Sequence, residues 1–257
     1  MLYNLLTAYK GYLSKSYRPN TVRTYYDRLC VLLATQNATA PLRLDIDKVL
    51  EALATIKHKN TFSQSKNAFY HFCQFQHITL SETTKRKIKE LEKKRHRRYR
   101  KSRVIHYKDI LNAVHHIKNI KLRLSYQVMI ATGLRVFELA QIKVNDCTIT
   151  TEKMIFQFVG KGGNLETVTI NKKAFPKLYK NLTTLIHTTQ SHKKVFYSAI
   201  YLQKKSKQLG FQCHDLRRIF ARLEYNRTKS KEEVKKKMRH TQLKNTTIYL
   251  RSHIDYK

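Results

Sequence analysis

Apolar residues recur at three- and four-residue spacing through the first 80 residues of the chain. This spacing places them along one face of a helix and predicts a series of amphipathic helices. Pro19-Asn20-Thr21 marks the start of one helix, and Asp45 or Asp47 marks the start of another. A further helix is predicted near residues 63–75. The pattern therefore predicts a small all-helical domain over residues 1–84.

The second half of the chain begins with the same helical spacing and then changes period. Helices are predicted near residues 107–117 and 122–131. Residues 154–159 and 167–170 instead have the composition of two short strands around a glycine-rich turn at 160–164, which predicts a β-hairpin. The predicted fold class is therefore mainly α, with a small antiparallel β-sheet in the second domain.

A basic segment, residues 85–103, separates the two halves. Apolar periodicity ends there after Leu91, and only Glu90 and Glu92 oppose the positive charges. Such a segment is expected to bury no face, which predicts an interdomain linker and leaves residues 104–257 as the second domain. A charge run is also typical of a solvated helix face or a localisation signal, but its position between two domains favours contact with DNA. The residues predicted to bind DNA are Lys93, Lys94, Arg95, Arg97, Arg98, Arg100, Lys101 and Arg103.

The net charge narrows the class of partner. The 257 residues include 52 Lys and Arg against 17 Asp and Glu, a formal net charge of +35. A charge this large predicts a polyanionic partner, with nucleic acid the leading candidate. No run approaches the roughly 20 apolar residues of a membrane span, and the N-terminus lacks the features of a signal peptide. We therefore expect a cytoplasmic protein without membrane association, located at the nucleoid if the host is bacterial.

Four short stretches of the second half carry candidate chemistry. Arg135 and Glu138 lie one turn apart at a predicted helix start, where a carboxylate could hold the arginine ready for a phosphate. Lys161 lies between two glycines at the hairpin tip, from which an ammonium could protonate a leaving alkoxide or pair with a phosphate. Each feature alone is also common on ordinary protein surfaces.

The other two stretches add histidines and a tyrosine. His214 and Arg217 are three residues apart, share a helix face and could bind one phosphate together, although a capping histidine and a surface arginine would have the same spacing. His240 and Tyr249 are predicted to lie across the end of one helix and the start of the next. Tyr249 is one of 16 tyrosines, most of which are expected to pack in the core.

Taken in order, these stretches resemble the catalytic motifs of the tyrosine recombinases, the group of phage integrases and chromosome-dimer-resolving recombinases. The similar sequence segments are Ala-Thr-Gly-Leu-Arg-Val-Phe-Glu-Leu at 131–139, Gly-Lys-Gly at 160–162, His-Asp-Leu-Arg-Arg at 214–218 and Asn-Thr-Thr-Ile-Tyr at 245–249. The resemblance in motifs covers about residues 104–257. Residues 1–84 are similar to the family's SAM-like core-binding domain only in being a small helical domain. The catalytic set that it implies is Arg135, Lys161, His214, Arg217, His240 and Tyr249, with Glu138 in support.

The resemblance implies a role for each of these residues. The Tyr249 phenolate would attack a DNA phosphodiester, forming a 3′-phosphotyrosine and freeing a 5′-hydroxyl. Arg135 and Arg217 would neutralise the reacting phosphate, and His240 would donate a hydrogen bond to it. Lys161 would protonate the leaving oxygen, His214 would accept or position the tyrosine proton, and Glu138 would orient a neighbouring side chain.

The resemblance also implies the partners and the overall task. We expect a two-domain, C-shaped clamp on double-stranded DNA at a specific recombination site, a homotetramer that passes through a Holliday junction, and no metal, ATP or other cofactor. The task would be DNA integration, excision or resolution, as in a mobile genetic element. Two alternatives stay open: an enzyme similar to type IB topoisomerases or telomere resolvases, and a non-catalytic DNA-binding relative.

The chain departs from the family pattern in three places. Arg239 precedes His240 where the family usually has glycine. After Gly162 the chain reads Gly-Asn-Leu-Glu, where more basic residues are common, so Lys161 is the hairpin's sole candidate. Only residues 250–257 follow Tyr249, which predicts a short or missing C-terminal helix and leaves the coupling between subunits open.

Overall fold

The computed structural model describes residues 2–34, 44–95, 104–160, 163–250 and 254–255. The chain divides into two compact units, Met1–Arg100 and Lys101–Lys257. Each unit has its own hydrophobic core. The proposed clamp arrangement of the two units stays a prediction.

The elements in the described residues of the first unit are all helices, as the apolar spacing predicts. Pro19 stands at the first position of its second helix. Asp45 caps the third helix, accepting hydrogen bonds from the backbone N–H groups of Asp47 and Lys48 at 3.1 and 3.2 Å. Both predicted start signals are therefore confirmed. The helices are α1 (Leu2–Ser14), α2 (Pro19–Leu33), α3 (Ile46–Thr55), α4 (Lys59–Phe75) and α5 (Glu82–Lys93).

Helix α5 corrects the start of the predicted linker. Residues 85–93 were expected to bury no face, yet Ile88 is fully buried and Leu91 packs beside it in the first core. Two apolar residues three apart suffice, because they project from the same side of one helical turn. An ion pair of 2.6 Å from Lys66 to Glu92 ties the helix further to α4. The first part of the supposed linker is therefore a helix of the first unit.

The predicted DNA-binding residues fall into two groups. Lys93 and Lys94 are exposed at the end of α5, whereas the Arg95 guanidinium donates to the Ala54 carbonyl at 2.8 Å and lies over the Phe62 ring. Arg95 is thus engaged within the first unit. The remaining five lie outside the described residues: Arg97, Arg98, Arg100, Lys101 and Arg103.

The second unit surrounds a small sheet with helices, which confirms the predicted fold class. Its strands are β1 (Ile105–His106), β2 (Cys147–Ile149), β3 (Lys153–Val159), β4 (Leu165–Asn171) and β5 (Ile254–Asp255). Its helices are α6 (Tyr107–His115), α7 (Ile120–Thr132), α8 (Val136–Leu139), α9 (Pro176–His187), α10 (Ala199–Gln208), α11 (Cys213–Thr228), α12 (Lys231–Met238) and α13 (Leu243–Leu250), with a 3-10 turn at Val144–Asp146.

The sheet has the antiparallel order β2-β3-β4, so the predicted hairpin is confirmed as β3 and β4. Phe156 and Phe158 of β3 point into the core, and Phe158 stands opposite Glu166 of β4. A separate parallel pair joins β1 to β5, with Ile105 beside Ile254. This second pairing was not predicted, because it joins segments from opposite ends of the unit.

A close approach of α7 and α11 prepares the candidate site. Gly133 ends α7 with a φ of 65°, a conformation that favours glycine. A Cβ at this position would collide with the ring of Phe220 on α11. Phe220 also belongs to a small cluster with Val234, Met238 and Leu250, which packs α11, α12 and α13 together. Because Gly133 has no side chain, α11, α12 and α13 can pack together against the end of α7.

None of the helices in the described ranges is long and apolar enough to cross a membrane.

Candidate active site

Arg217 lies at the centre of the candidate site. Its side chain is only 1% exposed, and its guanidinium donates to the carbonyl oxygens of Gly133 and Met238. These carbonyls end α7 and α12, where the helix dipole places partial negative charge. Nη2 of Arg217 also lies 3.3 Å from Nε2 of His240. A buried cation is therefore held between two helix C-termini.

The pKa of Arg217 shows how much positive charge is gathered here. Burial, together with the nearby charges of Arg135 and Arg239, lowers it to about 10. The guanidinium nevertheless stays protonated at neutral pH. Three guanidinium groups close enough to influence one another make the site a strong attractor for an anion.

Arg135 immediately precedes α8, as predicted, and is paired with Glu138. The Glu138 carboxylate is 4% exposed and accepts a hydrogen bond of 2.8 Å from the Arg135 backbone N–H and another from its guanidinium. Burial alone would raise the pKa of Glu138, but these hydrogen bonds and the charges of Arg135 and Arg239 outweigh it and lower the pKa. The ionised carboxylate therefore orients Arg135.

Tyr249, on α13, lies between two histidines. Its ring centroid is 5.0 Å from that of His214 and 5.1 Å from that of His240. The Cζ atom of Arg217 lies 6.0 Å from the same ring. The tertiary fold thus brings together side chains that are widely separated in sequence, and Tyr249 keeps part of its surface exposed.

Both histidines are surrounded by positive charge. Burial lowers the pKa of His240 to about 4, with Arg217 and Arg135 acting in the same direction. His214, in the first turn of α11, also has a lowered pKa, from desolvation and then from Arg218 and Arg217. Both imidazoles are therefore neutral at pH 7, and a neutral imidazole can accept a proton.

The tautomer of His240 follows from its two neighbours. Because Arg217 can only donate, Nε2 of a neutral His240 must be the acceptor in their 3.3 Å contact. Nδ1 then carries the proton and donates to Oγ1 of Thr246 at 3.0 Å. Thr246 is fully buried and was not among the predicted residues. The sequence feature that could have identified Thr246 as a site residue is its position three residues before Tyr249, on the same face of α13.

Arg239 is the second residue that sequence reasoning left outside the site. Its guanidinium lies within ion-pair distance of Glu138, at 3.3 Å, and of Glu166 on β4, at 3.0 Å. The sequence feature that could have identified Arg239 as a site residue is its presence at a position where the family usually has glycine. Arg239 therefore joins the predicted set as a neighbour of the Arg135–Glu138 pair.

Lys161 lies outside the described residues. The hairpin is described up to Gly160, whose N–H donates to the Asn164 carbonyl at 2.8 Å. In the parts of the chain that the structure describes, no group of three or more His, Cys, Asp or Glu side chains is arranged to hold a metal ion.

Solved structures with the same fold are DNA recombinases. The XerH site-specific recombinase, in a post-cleavage complex with its difH substrate, is 16% identical, with a TM-score of 0.63 over 89% of this chain and 75% of that one. A lambda integrase tetramer on a Holliday junction is 14% identical, with a TM-score of 0.66 over 96% and 76%. The Tn1549 transposon integrase in complex with circular intermediate DNA is 15% identical, with a TM-score of 0.61 over 95% and 94%. At these identities the likeness shows the fold.

The sequence itself defines the family. The model of the phage integrase family matches residues 103–255, which is more than half of the chain. The protein therefore belongs to the phage integrase family, the tyrosine recombinases, as its motifs predicted. No curated protein matches it by sequence.

Proposed function

We propose that this protein is a site-specific DNA recombinase that cleaves and rejoins DNA strands through a 3′-phosphotyrosine on Tyr249. The observation that carries the proposal is the position of the Tyr249 ring between His214 and His240 and beside the buried cation of Arg217. A nucleophile, proton-accepting imidazoles and an anion-binding group are thereby within one site. Membership of the phage integrase family supports the same chemistry.

Cleavage begins with the Tyr249 hydroxyl. Its oxygen attacks the phosphorus while its proton passes to His214, which is neutral at pH 7 and whose ring centroid lies 5.0 Å from that of Tyr249. The bond from phosphorus to the 5′-oxygen breaks, and Lys161 supplies a proton to that oxygen. Attack by the 5′-hydroxyl of a partner strand reverses the step, so the phosphodiester bond energy is conserved and no ATP is consumed.

The arginines stabilise the charge that develops on the phosphate. Arg135 is oriented by Glu138 and is partly exposed, so it can reach a bound strand. Arg217 also has a buried Nε–H with no hydrogen-bond partner among the described residues. A phosphate oxygen would satisfy this donor, because buried N–H groups without partners are costly. A phosphate beside His240 would also favour its protonated form, which can donate to the phosphate.

Binding to double-stranded DNA draws on the wider positive charge. Lys93 and Lys94 end α5, and the basic residues 97–103 follow. We propose that this stretch contacts phosphates on either strand regardless of sequence, within a clamp formed by the two units. We also propose assembly into a homotetramer on a specific recombination site, passing through a Holliday junction. The lambda integrase tetramer on such a junction has a similar fold.

The first test is covalent capture on DNA. A nicked substrate that loses its 5′-fragment after cleavage should leave the protein attached, and Tyr249→Phe should abolish the adduct. Tyr201→Phe is the matched control, since Tyr201 lies on α10 against Tyr197, and it should form adduct at the wild-type rate. An adduct that survives Tyr249→Phe would contradict the proposal, and a wild-type protein that binds without any adduct would be a DNA-binding relative only.

A plasmid assay separates recombination from topoisomerase activity. A plasmid with two copies of the recognition site should give discrete resolution or inversion products. A ladder of topoisomers without those products would instead support the topoisomerase-like alternative. The Tyr249→Phe protein should give neither result.

A further inference from the structure

The backbone of Arg239 has an unusual conformation for its residue type. Arg239 ends α12 with φ of 54° and ψ of 45°, in the left-handed region. An arginine is strained there because its Cβ crowds the following carbonyl, which is why glycine is common at such helix ends. Positive φ alone does not set Arg239 apart, since Lys229 ends α11 in the same region; what distinguishes Arg239 is the set of contacts that its side chain makes.

The side chain of Arg239 joins two elements of the site. It is 13% exposed, with Nη2 at 3.3 Å from the carboxylate of Glu138 on α8. On its other side, Nε lies 3.0 Å from the carboxylate of Glu166 on β4. The guanidinium also lies over Phe158 of β3, 5.3 Å from the ring centroid. Phe158 and Glu166 face each other across the hairpin, close to its turn.

The two carboxylates depend on Arg239 to different degrees. Glu138 has a second partner, because Arg135 donates to it from both backbone and side chain. Glu166 has no other ion-pair partner among the residues that the structure describes. Its carboxylate lies against the turn, where a Cβ on Gly160 would collide with it. Loss of Arg239 would thus release the Glu166 carboxylate beside the turn, while the Arg135–Glu138 pair and the bond from Gln141 to the Val159 carbonyl stay in place.

We propose that Arg239 is a positioning residue that fixes the turn end of the β3–β4 hairpin beside the Arg135–Glu138 pair, through Glu166 and Phe158. The inference rests on the proposed function, in which residue 161 of this turn protonates the leaving 5′-oxygen. Arg239 then affects one part of the cleavage step, the proton transfer to that oxygen, and leaves the neutralisation of the phosphate to Arg135 and Arg217.

The test compares two nicked DNA substrates, one ordinary and one with sulfur in place of the bridging 5′-oxygen. A thiol has a far lower pKa than a hydroxyl group, so sulfur leaves without needing a proton. Arg239→Gly should slow adduct formation on the oxygen substrate by about 10- to 100-fold, the order expected for impaired general acid catalysis. On the sulfur substrate it should stay within about threefold of wild type, as should Lys161→Ala.

Two further variants separate positioning from folding. Lys229→Gly is the matched control, since Lys229 is exposed, ends α11 with φ of 53° and has no ion pair or side-chain hydrogen bond with the described residues of the hairpin. It relieves the same kind of backbone strain and should cleave both substrates at the wild-type rate. Glu166→Gln should reproduce the pattern of Arg239→Gly, and the double variant should be no slower than either single variant, because both act through one contact.

Equal slowing of Arg239→Gly on both substrates would overturn the inference and place Arg239 with the phosphate-binding groups. Wild-type rates for Arg239→Gly on the oxygen substrate would also overturn it. A wild-type protein that forms no adduct on either substrate would defeat the proposed function itself, a result distinct from both.

Discussion

Arg217 donates a hydrogen bond to the carbonyl oxygen of Gly133, the residue that ends α7. This bond spans 84 residues of sequence and links the segment before Arg135 to the helix that carries Arg217 and His214. Gly133 permits it because the absence of a Cβ lets Phe220 of α11 pack against the helix end. The stability of the second unit and the geometry of the candidate site therefore depend on the same glycine.

Gly133→Ala should destabilise the second unit strongly. The left-handed backbone and the collision with Phe220 together should lower the free energy of unfolding by about 2–4 kcal/mol. Gly210→Ala is the control, because Gly210 has a φ of 82° with nothing within 4 Å of a Cβ. It should lose only about 1–2 kcal/mol. Urea unfolding of both variants tests the difference. Equal losses in the free energy of unfolding would show that the Phe220 side chain moves away from the new Cβ without loss of stability.

Arg135→Ala should block cleavage while leaving DNA binding nearly intact. Glu138 keeps an ion pair with Arg239 in this variant, so the local fold should persist. Adduct formation should fall by about 10²- to 10³-fold, because charge stabilisation in the transition state is lost. Arg227→Ala, which removes an exposed guanidinium paired with Glu224, should cleave normally. A parallel loss of DNA affinity in Arg135→Ala, measured by titration, would contradict the assignment.

Stability should fall as the pH is lowered from about 6.5 to about 4. His240 has a folded pKa of about 4, below its ordinary value of 6.5, because burial and three arginines, Arg217, Arg135 and Arg239, disfavour its charged form. The unfolded chain therefore binds the proton first, and protonation favours unfolding throughout this range. His240→Gln should flatten the dependence in urea titrations between pH 7 and pH 4.5. Parallel curves for the wild type and the variant would show that His240 is not the responsible group.

Neutralising the basic segment should weaken DNA binding without changing the chemistry. Replacing Lys93, Lys94 and the basic residues of 97–103 with glutamine removes contacts that release counterions from DNA. The slope of log affinity against log salt should become shallower by roughly 0.9 for each lost phosphate contact. Cleavage at saturating DNA should remain. Loss of cleavage with unchanged binding would contradict the DNA-binding role of this segment.

The sequence predicted what depends on near neighbours. Asp45 caps a helix whose first turn it can reach, and Glu138 lies one turn from Arg135, so both were predictable from spacing. The family motifs then brought the distant stretches into one catalytic set. The role of α5 was missed because a helix with only two apolar residues on one face has no recognisable periodicity.

By itself, then, the sequence determined most of the helices, the hairpin, the basic character and the family, because each depends on local spacing, composition or motif. Only the tertiary structure decided that Arg217 is buried between two helix ends, that Tyr249 lies between two histidines, and that Arg239 reaches the hairpin. Those contacts join residues that are distant along the chain. They form only when packing, such as that of Phe220 against Gly133, brings the helices together, and no local pattern records that packing.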